Sequence, residues 1–414
     1  DAQESRGLGD VYKRQDLDLA QTLGLAATVS FLGSFIKSKI TFLQTYFIPA
    51  PVIGGLLYAL IMLVGHSTNA FTITLDQTLT PILLIIFFTS TGFEFSIKQL
   101  KQFGSVGFKL AVIATFMTII QNAIMPLVAP LVGLRPLMGL TVGSMSMIGG
   151  PGAAAAFGPS IEALGVENAG LSAIAAATAG LVVGSLVGGP VVKYLMKRYN
   201  LDGSQSQNID HLTVAQEEVP VAGGDLLTPV LQLLFAMGVG TIVVWILDSI
   251  TGFGWPAYVG GLFFAVIMRN VTEPFGVTYD TKALKKLGSI ALNIFLALTI
   301  MDLEIWKLLD LALPIFGLIV IQVILLAALS IFVFFKWLGK DYDAAVMVAG
   351  IVGSNIGSTP NAVANMEAVV EENGPSPISM LVLPIVLSVV ISLINSIIIT
   401  LSVSYTHLRA HETP

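Results

Sequence analysis

The sequence predicts an all-α polytopic membrane protein whose ten transmembrane helices form two inverted five-helix repeats, with paired re-entrant hairpin loops. Three observations lead to that class. Of 414 residues, 55% are hydrophobic and only 11% are charged. Apolar runs of 18 to 25 residues recur along the chain, each long enough to cross a hydrocarbon core of ~30 Å as a helix. The chain also resembles itself at shifts of 206 to 208 positions. The lipid bilayer is therefore its first partner. The formal charge of -6 averages over loops and gives no signal toward nucleic acid, and none is expected. The chain has no cysteine, which excludes disulfides and thiolate-held metals.

The two ends are set aside before the spans are placed. Back-translation of "SRGLGDVYKRQ", Ser5 to Gln15, gives a DNA whose reverse complement encodes "VSYTHLRAHE", Val403 to Glu412. One sequencing-library adaptor in opposite orientations accounts for both. Residues 1–15 and 403–414 are thus expected to be non-native tails, and His407 and His411 are dismissed.

Hydropathy places helices near 17–36, 47–65, 80–96, 108–132 and 168–192, then near 226–248, 255–269, 287–302, 311–335 and 377–402. With the first helix entering from outside, fourteen Lys and Arg residues between Lys37 and Lys340 collect on the inner side. Only Arg135 and Lys307 lie outside. The positive-inside rule then puts both termini outside and the polar loop 200–225 in the cytoplasm.

That loop divides the chain into a first repeat at 16–199 and a second at 226–402. A shift of 206 lays Gly54, Gly55, Ala59 and Met62 on Gly260, Gly261, Ala265 and Met268. A shift of 208 lays Phe87, Thr91, Ile97 and Leu100 on Phe295, Thr299, Ile305 and Leu308, with Glu94 falling on Asp302. A shift of 207 lays Gly143 and Gly150 on Gly350 and Gly357. Five spans per half is an odd number, so the second copy is expected upside down, as in secondary transporters that work by alternating access.

Two stretches do not read as full spans. "GSMSMIGGPGAAAAFGP" (Gly143 to Pro159) follows the fourth helix and "NIGSTPNAVANM" (Asn355 to Met366) follows the ninth, each interrupted by glycine and proline. Both are expected to be re-entrant hairpins, near 143–159 and 350–366. Irregular backbone at membrane depth is tolerated where protein or a watery cavity covers it. There it frees carbonyls for a cation, while the following half-helix aims its N-terminus at an anion. Gly149, Gly150, Gly152, Ser358, Thr359, Asn361 and Asn365 are the expected anion site. The alternative is an ordinary cytoplasmic loop of turn residues. No Lys or Arg falls at mid-span, so helix N-termini and amides must supply the positive potential.

Several stretches together carry a family resemblance: "IPAPVIGGLL", "QNAI" before "LMGL", "GLVVGSLVGGPVVKYL", "GKDYDAAVMVAG", and "TPNAVANM" followed by "GPSP". Over almost all of Asp16 to Ser402 the chain resembles the bacterial sodium/glutamate symporters. The resemblance implies sodium-coupled uptake of glutamate across the bacterial inner membrane, a homodimer and an elevator-like motion. Where the family's first loop typically reads Gly-Gly-His-Gly, this chain has Gly149-Gly150-Pro151-Gly152. That departure leaves another small carboxylate, such as a hydroxy acid, as the alternative substrate.

Other polar residues in the spans compete for roles. Gln121 and Asn122 on the fourth helix are read as either helix-to-helix hydrogen bonds or walls of the substrate site, and Gln322 on the ninth likewise. Asn293 and Asn395 are read as packing residues. For sodium, the coupling ion, the expected ligands are Ser354, Asn355 and Gly357 at the second loop, with Thr89, Ser90 and Thr91 on the third helix. Against the latter stands the habit of hydroxyls to bond their own helix backbone. Glu94 and Asp302 sit at span ends, where an ion pair, Glu94 with Lys98, is the simpler account than transport. An enzyme is not expected, since the native histidines, His66 and His211, both fall in loops, and no cofactor is implied. A channel would need a continuous polar lining instead of two interrupted loops.

Overall fold

The computed structural model describes residues 14–46, 48–203, 206, 226–251, 256–308 and 311–412. Residues 1–13 of the expected adaptor tail, and most of the expected linker with His211, lie outside the described residues. The main helices are α1 (Leu19–Lys39), α2 (Ala50–Ser67), α3 (Thr80–Gly92), α4 (Gly104–Val128), α5 (Gly150–Glu162) and α6 (Ala169–Tyr199) in the first half. The second half holds α7 (Leu227–Thr251), α8 (Ala257–Thr272), α9 (Thr281–Met301), α10 (Ala312–Leu329), α11 (Tyr342–Ile356), α12 (Thr359–Asn373) and α13 (Pro377–Glu412). Local chemistry starts several of them. A capping box opens α1, where Asp18 accepts from the Gln21 amide at 2.8 Å and the Gln21 side chain accepts from the Asp18 amide at 3.1 Å. Asp280 and Asp341 cap α9 and α11 in the same way, accepting from Ala283 and Ala344.

Two features depart from the sequence reading. The fold is not wholly α, because β1 (Arg14–Asp16) pairs in parallel with β2 (Thr72–Thr74). Arg14 and Gln15, which fall within the adaptor-like tail, thus sit opposite Thr72 and Ile73. Among the described residues, seven helices are long and apolar enough to cross a membrane, compared with the ten spans expected. The third span, expected over 80–96, is a helix of 13 residues, roughly 20 Å long. It stops at Gly92 because the buried Arg269 guanidinium of α8 donates to the Phe93 carbonyl just past its end. Arg269 is held in turn by Glu273 at 3.8 Å, and Glu94 pairs with Lys285 of α9 at 3.2 Å instead of the expected Lys98.

The helices sort into two layers. In one, α1 packs on α2, α7 on α8, and α3 on both α8 and α9, while α2 packs on α9. The second helix of each half therefore rests on the third helix of the other. Small residues set the closeness of these contacts. A Cβ at Gly33 of α1 would stand 2.8 Å from the Gly54 nitrogen of α2, and one at Gly240 of α7 would stand 2.6 Å from the Gly261 nitrogen of α8. The other layer holds α4, α6, α10, α11, α12 and α13 around a core that includes Met117, Leu195, Leu318, Val348 and Leu383. Large apolar side chains on the outside face away from both layers: Phe31 is 77% exposed, Trp245 71% and Leu313 80%. A surface of that kind needs lipid around it.

Candidate functional site

The two stretches that sequence reading singled out are both broken helices. In the first half, a short turn (Ser144–Met147) gives way at Ile148 and Gly149 to α5. Gly150 takes φ +64, a left-handed conformation open to glycine with little strain. In the second half α11 ends at Ile356, and α12 begins at Thr359 after Gly357 and Ser358. The tertiary structure brings the two breaks together, since a Cβ on Gly150 would lie 3.7 Å from the Gly357 carbonyl oxygen.

Neither helix that starts there is capped by a side chain. The N-cap residue of α5 is Gly149 and that of α12 is Ser358, and each helix has proline in its first turn, Pro151 and Pro360. Ser358 turns its hydroxyl to Asn361 Oδ1 at 3.0 Å instead of to the backbone of its own helix. Each N-terminus carries a positive end equivalent to about half an elementary charge. Two such ends at one crossing put positive potential there without a lysine or arginine.

One dipeptide of α4 reaches both breaks. Gln121 donates from Nε2 to the Asn355 carbonyl at 2.9 Å, and Asn122 accepts on Oδ1 from the Ser144 amide at 3.0 Å. Of the two alternatives, the hydrogen bonds between helices are seen, and they fall at the breaks. Asn395 of α13, read from sequence as a packing residue, also arrives here, donating to the Ser144 carbonyl at 3.3 Å and standing beside Gly149. Ser144 itself lies inside the first stretch but was not singled out. The signal available for Asn395 was only that an amide in a membrane helix needs a partner.

The second break is fixed against α6. Asn361 Nδ2 donates to the Leu181 carbonyl at 2.6 Å, and Asn365 Nδ2 donates to that of Gly184 at 3.0 Å. Gly180 and Gly184 let the chains meet: a Cβ on Gly184 would stand 3.0 Å from the Gly357 nitrogen, and one on Gly180 would collide with the Ile356 carbonyl. Ser354 bonds its own helix at Ile351. Thr359 begins α12 on a partly exposed flank of the break, whereas Gly152 faces Leu292 of α9.

Five polar atoms at this crossing are buried without a partner among the described residues: the side-chain oxygens of Gln121, Asn355 and Asn395, the Asn122 amide nitrogen and the Ser144 hydroxyl. An unpaired buried polar group costs about 1–3 kcal/mol, so five at one crossing call for a partner from outside the described residues. Three of them are amide oxygens, the ligand type that a hard cation takes. None of the side chains gathered here carries an ionisable group.

Thr89, Ser90 and Thr91 are not part of this cluster. Thr89 lies against Gly261 of α8, and Ser90 against Gly288 of α9. Ser90 and Thr91 both donate to the Phe87 carbonyl of their own helix, at 2.7 and 3.0 Å. Gln322 is buried on the face of α10 turned to the core, both its amide atoms without a partner among the described residues, and Asn293 bonds its own helix at Ser289. Arg135 donates to the Gly165 carbonyl at 3.0 Å, closing the turn between α5 and α6. His66 stacks on Trp306 with ring centroids 4.2 Å apart.

Long apolar helices around a buried polar crossing of two broken ones define the class: a multi-pass membrane protein. The chain belongs to the sodium/glutamate symporter family, whose model matches residues 15–375. The sodium/glutamate symporter of Escherichia coli (strain K12) is 37% identical over 377 residues, covering 89% of this chain and 93% of that protein. That of Haemophilus influenzae is 34% identical over 372 residues, covering 88% and 92%. Among solved structures, a sodium proton antiporter from Methanocaldococcus jannaschii is 17% identical and aligns over 96% of this chain and 98% of its own, with a TM-score of 0.44, too low to define a shared fold.

Proposed function

We propose that the chain couples sodium entry to glutamate uptake across the bacterial inner membrane, exposing the crossing of the two breaks alternately to the two faces. The observation that carries this reading is the meeting of two uncapped helix N-termini with five polar atoms that have no partner among the described residues. The N-termini, with Ser358, Thr359 and the Asn122 amide, hold the substrate carboxylates. The side-chain oxygens of Gln121, Asn355 and Asn395 hold sodium, with the freed carbonyl of Gly357 beside them. The reciprocal packing of second on third helices supports two inverted repeats, with the breaks as paired re-entrant elements.

The relatives' shared name supports glutamate and sodium as the transported pair. Uptake of labelled glutamate into proteoliposomes tests it. Accumulation is expected with an inward sodium gradient and not with choline, and its rate is expected to stay flat between about pH 6 and 8, because the site holds no group that titrates there. Uptake that persists in choline and follows a pH gradient would overturn the reading. The same assay with a panel of labelled anions separates glutamate from other small carboxylates.

A further inference from the structure

The two broken stretches hold four serines, and the structure engages three of them. Ser146 lies within hydrogen-bond distance of the Thr141 and Ala173 carbonyls, at 2.5 and 2.8 Å. Ser354 donates to the Ile351 carbonyl at 3.1 Å, and Ser358 to Asn361 Oδ1 at 3.0 Å. Ser144 is different. It is 0% exposed, and its hydroxyl has no partner among the described residues.

The backbone of Ser144 is nonetheless fixed from two sides. Asn122 of α4 accepts from its amide at 3.0 Å, and Asn395 of α13 donates to its carbonyl at 3.3 Å. Gly143, the residue before it, admits Asn122 closely, since a Cβ there would stand 2.6 Å from Asn122 Oδ1. Two distant helices thus hold a residue whose own polar group is buried and unused, an arrangement that an alanine would satisfy better if packing were its purpose.

The chemistry of the substrate says what that group could meet. Glutamate brings two carboxylates and one ammonium. On the transport reading above, the carboxylates have the helix N-termini, Ser358, Thr359 and the Asn122 amide, and sodium has the oxygens of Gln121, Asn355 and Asn395. The ammonium still lacks an acceptor. Of the five unpartnered atoms at the crossing, the Ser144 hydroxyl is the one that reading leaves over. A hydroxyl oxygen accepts from an ammonium without the charge that would repel the neighbouring carboxylates.

We propose that Ser144 determines specificity by accepting a hydrogen bond from the substrate's α-ammonium, so that the crossing takes α-amino dicarboxylates in preference to dicarboxylates without the amine. The assignment rests on the transport reading. Because Asn122 is bonded to the Ser144 amide, its NH2 group and the Ser144 hydroxyl belong to adjoining residues, which suits a carboxylate and an ammonium carried on one carbon. A diacid lacking the amine would leave the buried hydroxyl unpaired, and this loss is the source of the discrimination.

Binding of labelled glutamate to the purified protein in saturating sodium tests the proposal, with glutarate as the competitor of the same length that lacks the amine. Ser144→Ala is expected to weaken glutamate roughly tenfold while leaving the inhibition constant of glutarate unchanged. The variant is also expected to melt at or above the temperature of the parent, because it removes an unpaired buried hydroxyl. Ser144→Cys, which offers only a weak acceptor, carries the same expectation for the two ligands should the alanine variant fold poorly. Glutamate bound as tightly by the variants as by the parent would overturn the proposal. So would an equal loss of glutamate and glutarate, which would mean that Ser144 serves a carboxylate or sodium. A parent that binds no glutamate in sodium refutes the transport reading itself, whereas a parent that binds it beside indifferent Ser144 variants refutes this assignment alone.

Discussion

The two breaks differ in where their polar groups come from. The first, at Gly149 and Gly150, has backbone but no amide side chain of its own, and it is tied by Asn122 of α4 and Asn395 of α13. The second, at Gly357 and Ser358, carries Asn355, Asn361 and Asn365 on its own helices and uses two of them to grip the backbone of α6. At the first break Asn122 accepts from a backbone amide; at the second, Asn361 and Asn365 donate to backbone carbonyls. The difference teaches that the two halves, alike in pattern, are not alike in tolerance. An aspartate can replace an asparagine that accepts, but not one that donates.

Substitutions test this comparison, beginning with the packing against the second break. Gly180→Val drives a side chain into the Ile356 carbonyl, and backbone on one side and helix on the other leave no room to yield. A loss of roughly 5 kcal/mol or more is expected, seen as little folded protein on size-exclusion chromatography. Asn361→Asp removes the donor to Leu181 and buries a charge, for roughly 3–5 kcal/mol and a lowered melting temperature. Asn122→Asp also buries a charge, but it keeps its bond to Ser144 and gives up an amide NH2 that has no partner among the described residues. It is expected to fold in better yield than Asn361→Asp, yet to bind glutamate weakly, because its charge opposes the substrate. Equal yields for the two variants would erase the contrast between the breaks. Gly150→Ala meets no close neighbour but must adopt φ +64, for about 1–2 kcal/mol. Smallest of all, Gly189→Ala on the same helix as Gly180 has open space around it and should match the parent or gain up to about 1 kcal/mol in melting measurements.

Much of the candidate site was legible in the sequence, because glycine and proline interrupt apolar runs only where something else compensates the backbone. Gly150 and Gly357 were found that way, and the amides of Asn355 to Asn365 stood out against apolar surroundings. Gln121 and Asn122 could be listed but not assigned, since an amide on a helix gives no sign of which neighbour it meets. Asn395 was read as packing for the same reason. Thr89 to Thr91 lie apart from the crossing: Ser90 and Thr91 are satisfied by their own helix, while Thr89 lies against Gly261 of α8 with a buried hydroxyl that has no partner among the described residues. The third span was overestimated, 80–96 against the observed Thr80–Gly92, where Arg269 of α8 bonds the Phe93 carbonyl, whereas the fifth, expected over 168–192, runs on to Tyr199.

The sequence by itself determined the solvent and the positions of both breaks. These depend on composition and on local backbone preference, which act within a few residues of one another. Only the tertiary structure decided that Gly150 meets Gly357, that one dipeptide of α4 serves both breaks, and that α13 supplies Asn395. Those partners lie between 22 and 251 positions apart, and which of them meet is set by how the helices pack, with glycines at 180 and 184 admitting the second break against α6.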